Sequence, residues 1–387
     1  MNISESIKYI GVNDHINDYF EGQFIVPNGM AYNSYLILDD KIAICDSVDD
    51  NFTLEWLNNL EKELNNKKPD YLIIHHMECD HSGSLASFLE KYPETILVGN
   101  AQTFNFFNTI FNPKKEYQKM IVKEGDILDL GKHQLEFIMA PMVHWPEVMM
   151  SYEHHKKILF SADAFGKFGA NDVIDEEGWD CEARRYYFGI IGKFGNQVQN
   201  VLKKLNDKEI NIICSLHGPI LNDNISYYIN KYNTWSSYQA EDKGITIVYS
   251  SIYGHNRIVV KEVAKRLEAL GNKVSLFDLL RDDIHEALED AFRYDRLILA
   301  TTTYNTDIFP LMRTFINILK EHNYQNRNIA LIENGTWAPN ANKVMKELLM
   351  DLKDINILEN NLTIKASIKE EDYEKIDALV YELNKLN

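Results

Sequence analysis

Short apolar runs separated by polar turns dominate the first part of the chain. Strand-like runs occupy residues 34–38, 41–45 and 96–99, and helix-like spacing of apolar residues occupies 53–65, 83–91 and 101–110. Residues 181–205 also have a helical pattern. Strands accompanied by a few flanking helices favour a β-sandwich covered by helices.

The pattern changes after a polar stretch at 239–244 that ends in Gly244 and is typical of a linker. Strand-like runs then recur at about 245–251, 273–279, 296–302, 328–333 and 362–367, with helical stretches between them. This alternation predicts an open parallel sheet with helices on both faces. We therefore expect two domains, 1–243 and 244–387.

Four apolar strands of the first domain each lead to a possible metal ligand. The strand at 71–74 precedes His76, Glu78, Asp80 and His81, and the strands at 135–140, 157–162 and 210–216 precede His144, Asp163 and His217. One polar cluster after a strand is common, but four such strand ends in one domain predict a metal site. Imidazole and carboxylate ligands at this density favour a borderline or hard transition metal, and more than one ion.

Composition excludes several classes of function. The formal net charge of −18 argues against nucleic acid, which requires a basic surface. No apolar run approaches the roughly 18 residues of a membrane span, and the N-terminus has no signal pattern, so we expect a cytoplasmic protein. Cys45, Cys79, Cys181 and Cys214 are widely spaced, which argues against an iron–sulfur cluster, a structural zinc site or a rubredoxin module.

A second candidate site follows the strands of the second domain. The first strand leads into a loop rich in hydroxyl and amide groups just before a helix, which favours phosphate binding. Two further loops, after the third and fourth strands, add aromatic rings suited to a flat cofactor; surface aromatics would be the alternative interpretation. The candidate residues are Ser251, Ile252, Tyr253, Gly254, His255, Asn256, Thr303, Tyr304, Asn305, Asn334, Gly335, Thr336 and Trp337.

These residues support a resemblance to a known family. The series His76-x-Glu78-x-Asp80-His81, Ala-Pro-Met-Val-His144-Trp-Pro, Phe-Ser-Ala-Asp163 and His217-Gly-Pro resembles the diiron domain of flavodiiron proteins, and the loop at 251–256 resembles the phosphate loop of flavodoxins. The resemblance implies an α/β fold, with a metallo-β-lactamase-like αββα sandwich followed by a flavodoxin-like doubly wound parallel sheet. It implies FMN and two non-haem iron ions as cofactors.

Glu78 separates this chain from the hydrolases of the same fold, which have a second His at that position. A carboxylate ligand favours iron or manganese over zinc. By resemblance, His76, Glu78 and His144 would hold one iron, Asp80, His81 and His217 the other, and Asp163 would bridge them. His81 is not a ligand in every member. His75 faces away from His76 on an extended segment, and the other histidines are expected to have surface or capping roles.

Two residues near the metal are expected from the same resemblance. A tyrosine of the region around 186–187 lies close to the irons in the family, and we assign this role to Tyr187, although packing is the simpler role for either tyrosine. Some members have a His near position 21, and Glu21 stands there in this chain.

The resemblance implies an oxidoreductase that reduces dioxygen to water, nitric oxide to nitrous oxide, or both, with electrons passing from a donor through FMN to the diiron site. It also implies a head-to-tail homodimer or a dimer of dimers, and rubredoxin or another separate donor, such as a reduced deazaflavin. The alternative is a dinuclear metallo-hydrolase with a fused flavin module, against which Glu78 argues.

Overall fold

The computed structural model describes residues 3–386, which form two compact units. The first unit extends to Asn233 and the second begins at Thr234. The boundary expected between residues 243 and 244 stays a prediction. Residues 234–243 belong to the second unit. Within it, the Trp235 indole N–H donates a hydrogen bond to the Glu241 carboxylate, and the Tyr238 carbonyl accepts one from the Arg327 guanidinium.

The first unit is built on two sheets. Its strands are β1 (Ile7–Tyr9), β2 (Val12–Asp14), β3 (Tyr19–Phe20), β4 (Phe24–Ile25), β5 (Met30–Tyr32), β6 (Tyr35–Ile37), β7 (Ala43–Cys45), β8 (Tyr71–Ile73), β9 (Ile96–Gly99), β10 (Lys119–Ile121), β11 (Ile127–Asp129), β12 (Gln134–Met139), β13 (Met149–Glu153), β14 (Ile158–Phe160) and β15 (Ile212–Cys214). The first sheet has the order β1-β6-β7-β8-β9-β10, and the second has the order β11-β12-β13-β14-β15.

The core lies between these sheets. Tyr35, Ile73 and Val98 of the first sheet and Phe137 and Phe160 of the second belong to one cluster of buried side chains. The strands are short, but their side chains bury apolar surface that stabilises the sandwich by roughly 25 cal/mol per Å². The expected sandwich is confirmed.

Helices complete the first unit. They are α1 (Thr53–Leu64), α2 (Cys79–Ser82), α3 (Leu85–Lys91), α4 (Ala101–Phe111), α5 (Asp180–Tyr186) and α6 (Gly195–Leu205); α7 (Ile225–Ser236) begins in the first unit and ends in the second. Helix α1 buries one apolar face, on which the Trp56 indole N–H donates to the Ser34 hydroxyl at 3.0 Å. The helix expected over 181–205 is interrupted by a π-helical turn at Tyr187–Ile191 and a 3₁₀ turn at Gly192–Phe194.

The second unit is a doubly wound sheet. Its elements are β16 (Asp242–Tyr249), α8 (His255–Ala269), β17 (Val274–Asp278), α9 (Ile284–Arg293), β18 (Tyr294–Tyr304), β19 (Asp307–Ile308), α10 (Pro310–Glu321), β20 (Arg327–Asn334), α11 (Ala341–Leu349), β21 (Ile355–Ile357), β22 (Leu362–Ile364) and α12 (Glu370–Asn384). The order is β17-β16-β18-β20, with β21 and β22 both beside β20, and these pairs are parallel.

The parallel order of the second unit is the flavodoxin-like arrangement, in which the carboxyl ends of neighbouring strands form a crevice. The expected fold class is confirmed for both units. Over residues 3–386, no helix combines the length and the apolar character needed to cross a membrane.

Candidate metal centre and flavin site

The topology brings the candidate ligands of the first unit to one region. Strand β13 is antiparallel to both β12 and β14, and β15 is parallel to β14, so β12, β14 and β15 all run in the same direction. His144, Asp163 and His217 follow these three strands and therefore lie at one edge of the second sheet.

The first sheet supplies the remaining ligands from the segment after β8. Residues 74–78 form a loop, and α2 then carries Asp80 and His81 toward the same region. Gly83 ends this one-turn helix, and a Cβ there would lie 2.6 Å from the Cys79 carbonyl oxygen and 2.7 Å from the Asp50 nitrogen. A glycine is therefore needed for this close approach.

The ligand atoms form two clusters. The first consists of His76, Glu78, His144 and Asp163, and the second of Asp80, His81 and His217; within each cluster the atoms lie within 4.8 Å of one another. In the first, Nε2 of His76 and Nε2 of His144 lie 3.1 and 3.0 Å from Oε2 of Glu78. In the second, Nε2 of His217 lies 3.2 Å from Oδ2 of Asp80.

Asp163 faces both clusters with different oxygens. Its Oδ2 lies 3.1 Å from Nε2 of His144, and its Oδ1 lies 3.2 Å from Nε2 of His81. The side chain is buried, and neither oxygen has a hydrogen-bond partner among the described residues. The two carboxylate oxygens of Asp80 are also buried without a hydrogen-bond partner among the described residues. Burying a carboxylate without hydrogen bonds costs free energy, and bound cations would offset that cost.

The electrostatics point to the same conclusion. Burial lowers the pKa of His144, but the neighbouring Asp163 and Glu78 carboxylates outweigh it and raise the pKa to about 9. The pKa of His76 is raised well above its usual value because the Asp163 and Glu147 carboxylates outweigh its burial. The surrounding imidazoles hold the pKa of Asp163 well below its usual range despite burial. The site therefore attracts cations, either protons or metal ions.

Two further groups orient the imidazoles. Nδ1 of His76 lies 2.8 Å from Oε1 of Glu147, which also accepts the Met77 N–H at 2.9 Å. Nδ1 of His217 donates to the Ala31 carbonyl at 2.8 Å. Each contact leaves Nε2 as the atom that faces the cluster, as in metal-binding histidines generally. Glu147 was not expected from the sequence; its only signal was its position three residues after His144.

The other histidines are placed elsewhere. His75 is buried, with Nδ1 2.6 Å from Oδ2 of Asp46 and Nε2 2.8 Å from the Ser151 hydroxyl, and it lies in neither cluster. The surface or capping role expected for His133 is wrong: its ring is buried between Ser6 and Glu153.

Glu21 and Tyr187, the two residues expected near the metal, have different surroundings. Glu21 lies in the turn between β3 and β4; partial burial and the Glu78 charge raise its pKa to about 7. The Tyr187 ring packs against Phe188 and Tyr232, whereas the Tyr186 ring lies 5.4 Å from the His217 ring. Tyr186 thus lies beside a candidate ligand.

The second unit contains a cavity of about 310 Å³ at the carboxyl ends of β16, β18 and β20. Every candidate residue for the flavin lines it except Gly254, which instead forms the N-cap of α8 with a φ of 88°. Thr302 and Ala366 line it as well, although the sequence did not indicate them. The Oδ1 atom of the buried Asn256 has no partner among the described residues and is available to a ligand.

The cavity fits a phosphorylated aromatic cofactor. It opens at the N-terminus of the 15-residue helix α8, where exposed N–H groups favour a phosphate. The side chains of Tyr253 and Trp337 are 87% and 82% exposed, so their rings are available to cover a flat ligand at the mouth. FMN has both of these chemical features.

Comparisons with known proteins agree with this picture. The family model for the ODP family of β-lactamases matches residues 30–218, a range that contains all the candidate metal ligands. An anaerobic nitric oxide reductase flavorubredoxin of Escherichia coli is 28% identical over 375 residues, covering 94% of this chain and 77% of the relative.

Solved structures are also similar over nearly the whole chain. The flavodiiron protein of Giardia intestinalis is 25% identical with a TM-score of 0.93, covering 99% of this chain and 95% of the other. The rubredoxin oxygen:oxidoreductase of Desulfovibrio gigas is 24% identical with a TM-score of 0.92, covering 100% and 98%. The latter likeness establishes the shared fold.

Proposed function

We propose the function of this chain from its family, because it belongs to the flavodiiron proteins. It is an oxidoreductase that reduces dioxygen to water, nitric oxide to nitrous oxide, or both, with electrons passing from a donor to FMN and then to two non-haem irons. The relatives named as anaerobic nitric oxide reductases support the nitric oxide reaction.

The observation that carries this proposal is the pair of clusters joined by Asp163, with Glu78 in the first. In our proposal, His76, Glu78 and His144 would hold one iron, Asp80, His81 and His217 would hold the other, and Asp163 would serve both. When bound, two ferrous ions supply electrons and open positions for a diatomic gas. A carboxylate at position 78 favours iron over zinc and therefore redox chemistry over hydrolysis.

The protein's own groups fix the site and shield it. Glu147 and the Ala31 carbonyl hold the His76 and His217 rings so that each Nε2 faces inward. The rings of Phe20 and Tyr186 each lie 5.4 Å from the His217 ring and exclude water from that side. We assign Glu21 the role of tuning the charge near Glu78. Tyr187 packs against Tyr232, and its expected place near the irons stays a prediction.

The cavity of the second unit would hold FMN. The loop of Ser251–Asn256 would receive the phosphate at the start of α8, while Tyr304 and Trp337 would lie beside the ring. When bound, FMN would supply the capacity to take up electrons from a donor.

Partners follow from the same family. We propose that rubredoxin or a similar separate protein donates the electrons, and that the chain assembles as a head-to-tail homodimer or a dimer of dimers in which one subunit's FMN serves the other's irons. The cytoplasmic location stays a prediction.

Metal analysis, flavin absorbance and gas consumption test the proposal together. The purified protein should be yellow and contain about two irons per chain. After its FMN has been reduced under anaerobic conditions, it should consume added nitric oxide or dioxygen. Stopped-flow measurements with each gas in turn give the preference. Protein that holds only zinc, hydrolyses esters at the metal centre and consumes neither gas would establish the hydrolase instead.

A further inference from the structure

Away from both cofactor sites, Ser6, His133 and Glu153 form a hydrogen-bonded series. The Ser6 hydroxyl lies 2.8 Å from Nε2 of His133, and Nδ1 of His133 lies 2.9 Å from Oε1 of Glu153. The three residues come from the start of the chain, from the turn before β12 and from the end of β13. This is the nucleophile, base and orienting carboxylate arrangement of serine hydrolases, which is recognised by geometry rather than by chain order.

The carboxylate is held in its ionised form. The Glu153 side chain is fully buried, and it accepts the backbone N–H groups of His155 at 2.8 Å and Lys156 at 2.7 Å. Burial raises the pKa of Glu153, but the hydrogen bonds from His133, Lys156 and His155 outweigh it and lower the pKa overall. An ionised Glu153 can only accept, so Nδ1 of His133 carries the proton. In the neutral ring, Nε2 is then the acceptor for the Ser6 hydroxyl.

Ser6 is accessible to a small ligand. It lines a cavity of about 390 Å³ together with Ser4, Lys132, His133, His155 and Lys156. The Leu38 N–H donates to the Ser6 carbonyl at 2.8 Å, which fixes the backbone of the serine. The cavity walls carry two exposed lysines, Lys132 and Lys156, and two carboxylates, Glu5 and Asp39, so charges of both signs surround Ser6.

We propose that Ser6, His133 and Glu153 form a second reactive site that takes small activated esters and becomes acylated on Ser6. The Ser6 oxygen bonds to the acyl carbon, the bond to the leaving alcohol breaks, and His133 accepts the serine proton and returns it to the leaving oxygen. Water then attacks the acyl carbon and releases the carboxylic acid, which regenerates Ser6. No oxidant or metal takes part.

The full chain with FMN and iron bound should be treated with p-nitrophenyl acetate and, separately, with an alkyl fluorophosphonate. We expect a burst of p-nitrophenolate of about one equivalent per chain, and peptide mass spectrometry should place both labels on Ser6. Ser6→Ala should abolish the burst, whereas Ser87→Ala, the same change at an exposed serine outside this cavity, should keep it.

Variants of the other two residues separate chemistry from structure. His133→Gln should slow acylation by about 100-fold, the usual contribution of a general base. Glu153→Gln acts through His133, so it should slow acylation while leaving the final extent of Ser6 labelling unchanged. Flavin content, iron content and the thermal unfolding midpoint identify any variant that has lost its fold.

Three results would overturn the proposal: labels that map to lysines or tyrosines instead of Ser6, a burst that persists in Ser6→Ala, or wild-type protein that is not labelled at all. In each case the series would be a structural connection between the N-terminal strand and the second sheet. Gas reduction is measured separately, so failure here leaves the proposed oxidoreductase function intact.

Discussion

Asp163 is the residue on which both metal clusters depend, because each of its oxygens faces a different cluster. Asp163→Asn keeps the shape of the side chain but removes its charge and one acceptor. We expect this variant to lose more than half of its iron and to retain FMN, since the flavin-cavity residues belong to the other compact unit. Metal analysis and flavin absorbance on the same sample test this.

Asp172→Asn is a suitable control for Asp163→Asn, because Asp172 is exposed and pairs only with His15 among the described residues. It should keep wild-type iron and flavin. Equal loss of iron and flavin in Asp163→Asn would contradict the division into two independent sites.

Proton release is a second prediction for single residues. In the cation-free site the pKa of His144 is about 9, so its ring is protonated at neutral pH and must lose that proton to bind a metal ion. Adding Fe²⁺ to metal-free protein at about pH 7.5 should therefore release protons, and iron affinity should fall as the pH falls below 9. A pH indicator under anaerobic conditions measures the release.

His144→Ala should release fewer protons than the wild type when Fe²⁺ is added. Iron binding without proton release near neutral pH would show that His144 is not a ligand.

For single residues, the sequence predicted the positions of side chains that follow strands better than the positions of side chains on a helix. The candidate ligands after β8, β12, β14 and β15 all reach one region, since the end of a strand determines where the next residues lie. Tyr187 was chosen over Tyr186 from the sequence, whereas the Tyr186 ring lies beside His217; a π-helical turn at Tyr187–Ile191 changes the rotation of the helix. Apolar periodicity carries no sign of such a turn.

Among the elements, α2 depends most on a single contact. Gly83→Ala would place a Cβ 2.6 Å from the Cys79 carbonyl and 2.7 Å from the Asp50 nitrogen, both of them backbone atoms that cannot easily move. We expect α2 to shift, stability to fall by about 1–3 kcal/mol, and iron to be lost. Chemical denaturation and metal analysis are the measurements.

Ser87→Ala is the control for Gly83→Ala, since Ser87 lies exposed on α3 nearby and the change places no new atom against the backbone. A Gly83→Ala protein with full iron and unchanged stability would show that α2 tolerates the extra carbon.

The elements also show where sequence patterns lose information. Because strands and helices alternate regularly in the second unit, the bounds of β16, β18 and β20 were predicted to within a few residues. Strand β13 was not predicted because all five of its residues are buried, including Ser151 and Glu153, so it lacks the alternation of a half-exposed strand. Its polar side chains are satisfied by His75 and His133, partners that are far away in sequence.

For the whole molecule, the proposed head-to-tail dimer leads to a concentration dependence. If one subunit's FMN serves the partner's irons, dilution below the dimer dissociation constant should lower gas consumption per chain. Reduction of FMN by the donor should be unchanged, which provides an internal control. Analytical ultracentrifugation gives the dissociation range, and constant specific activity across it would rule out transfer between subunits.

The candidate ligands are distributed over both sheets of the first unit, and this has a mechanical consequence. His76, Glu78, Asp80 and His81 follow β8 of one sheet, whereas His144, Asp163 and His217 follow strands of the other. Bound iron would fasten the two halves of the sandwich together, and ligand linkage makes this worth about 4 kcal/mol when free metal is a thousand times its dissociation constant. A cell short of iron would then hold a chain whose first unit opens to proteases, so the supply of metal would govern how long the protein survives as well as how fast it works.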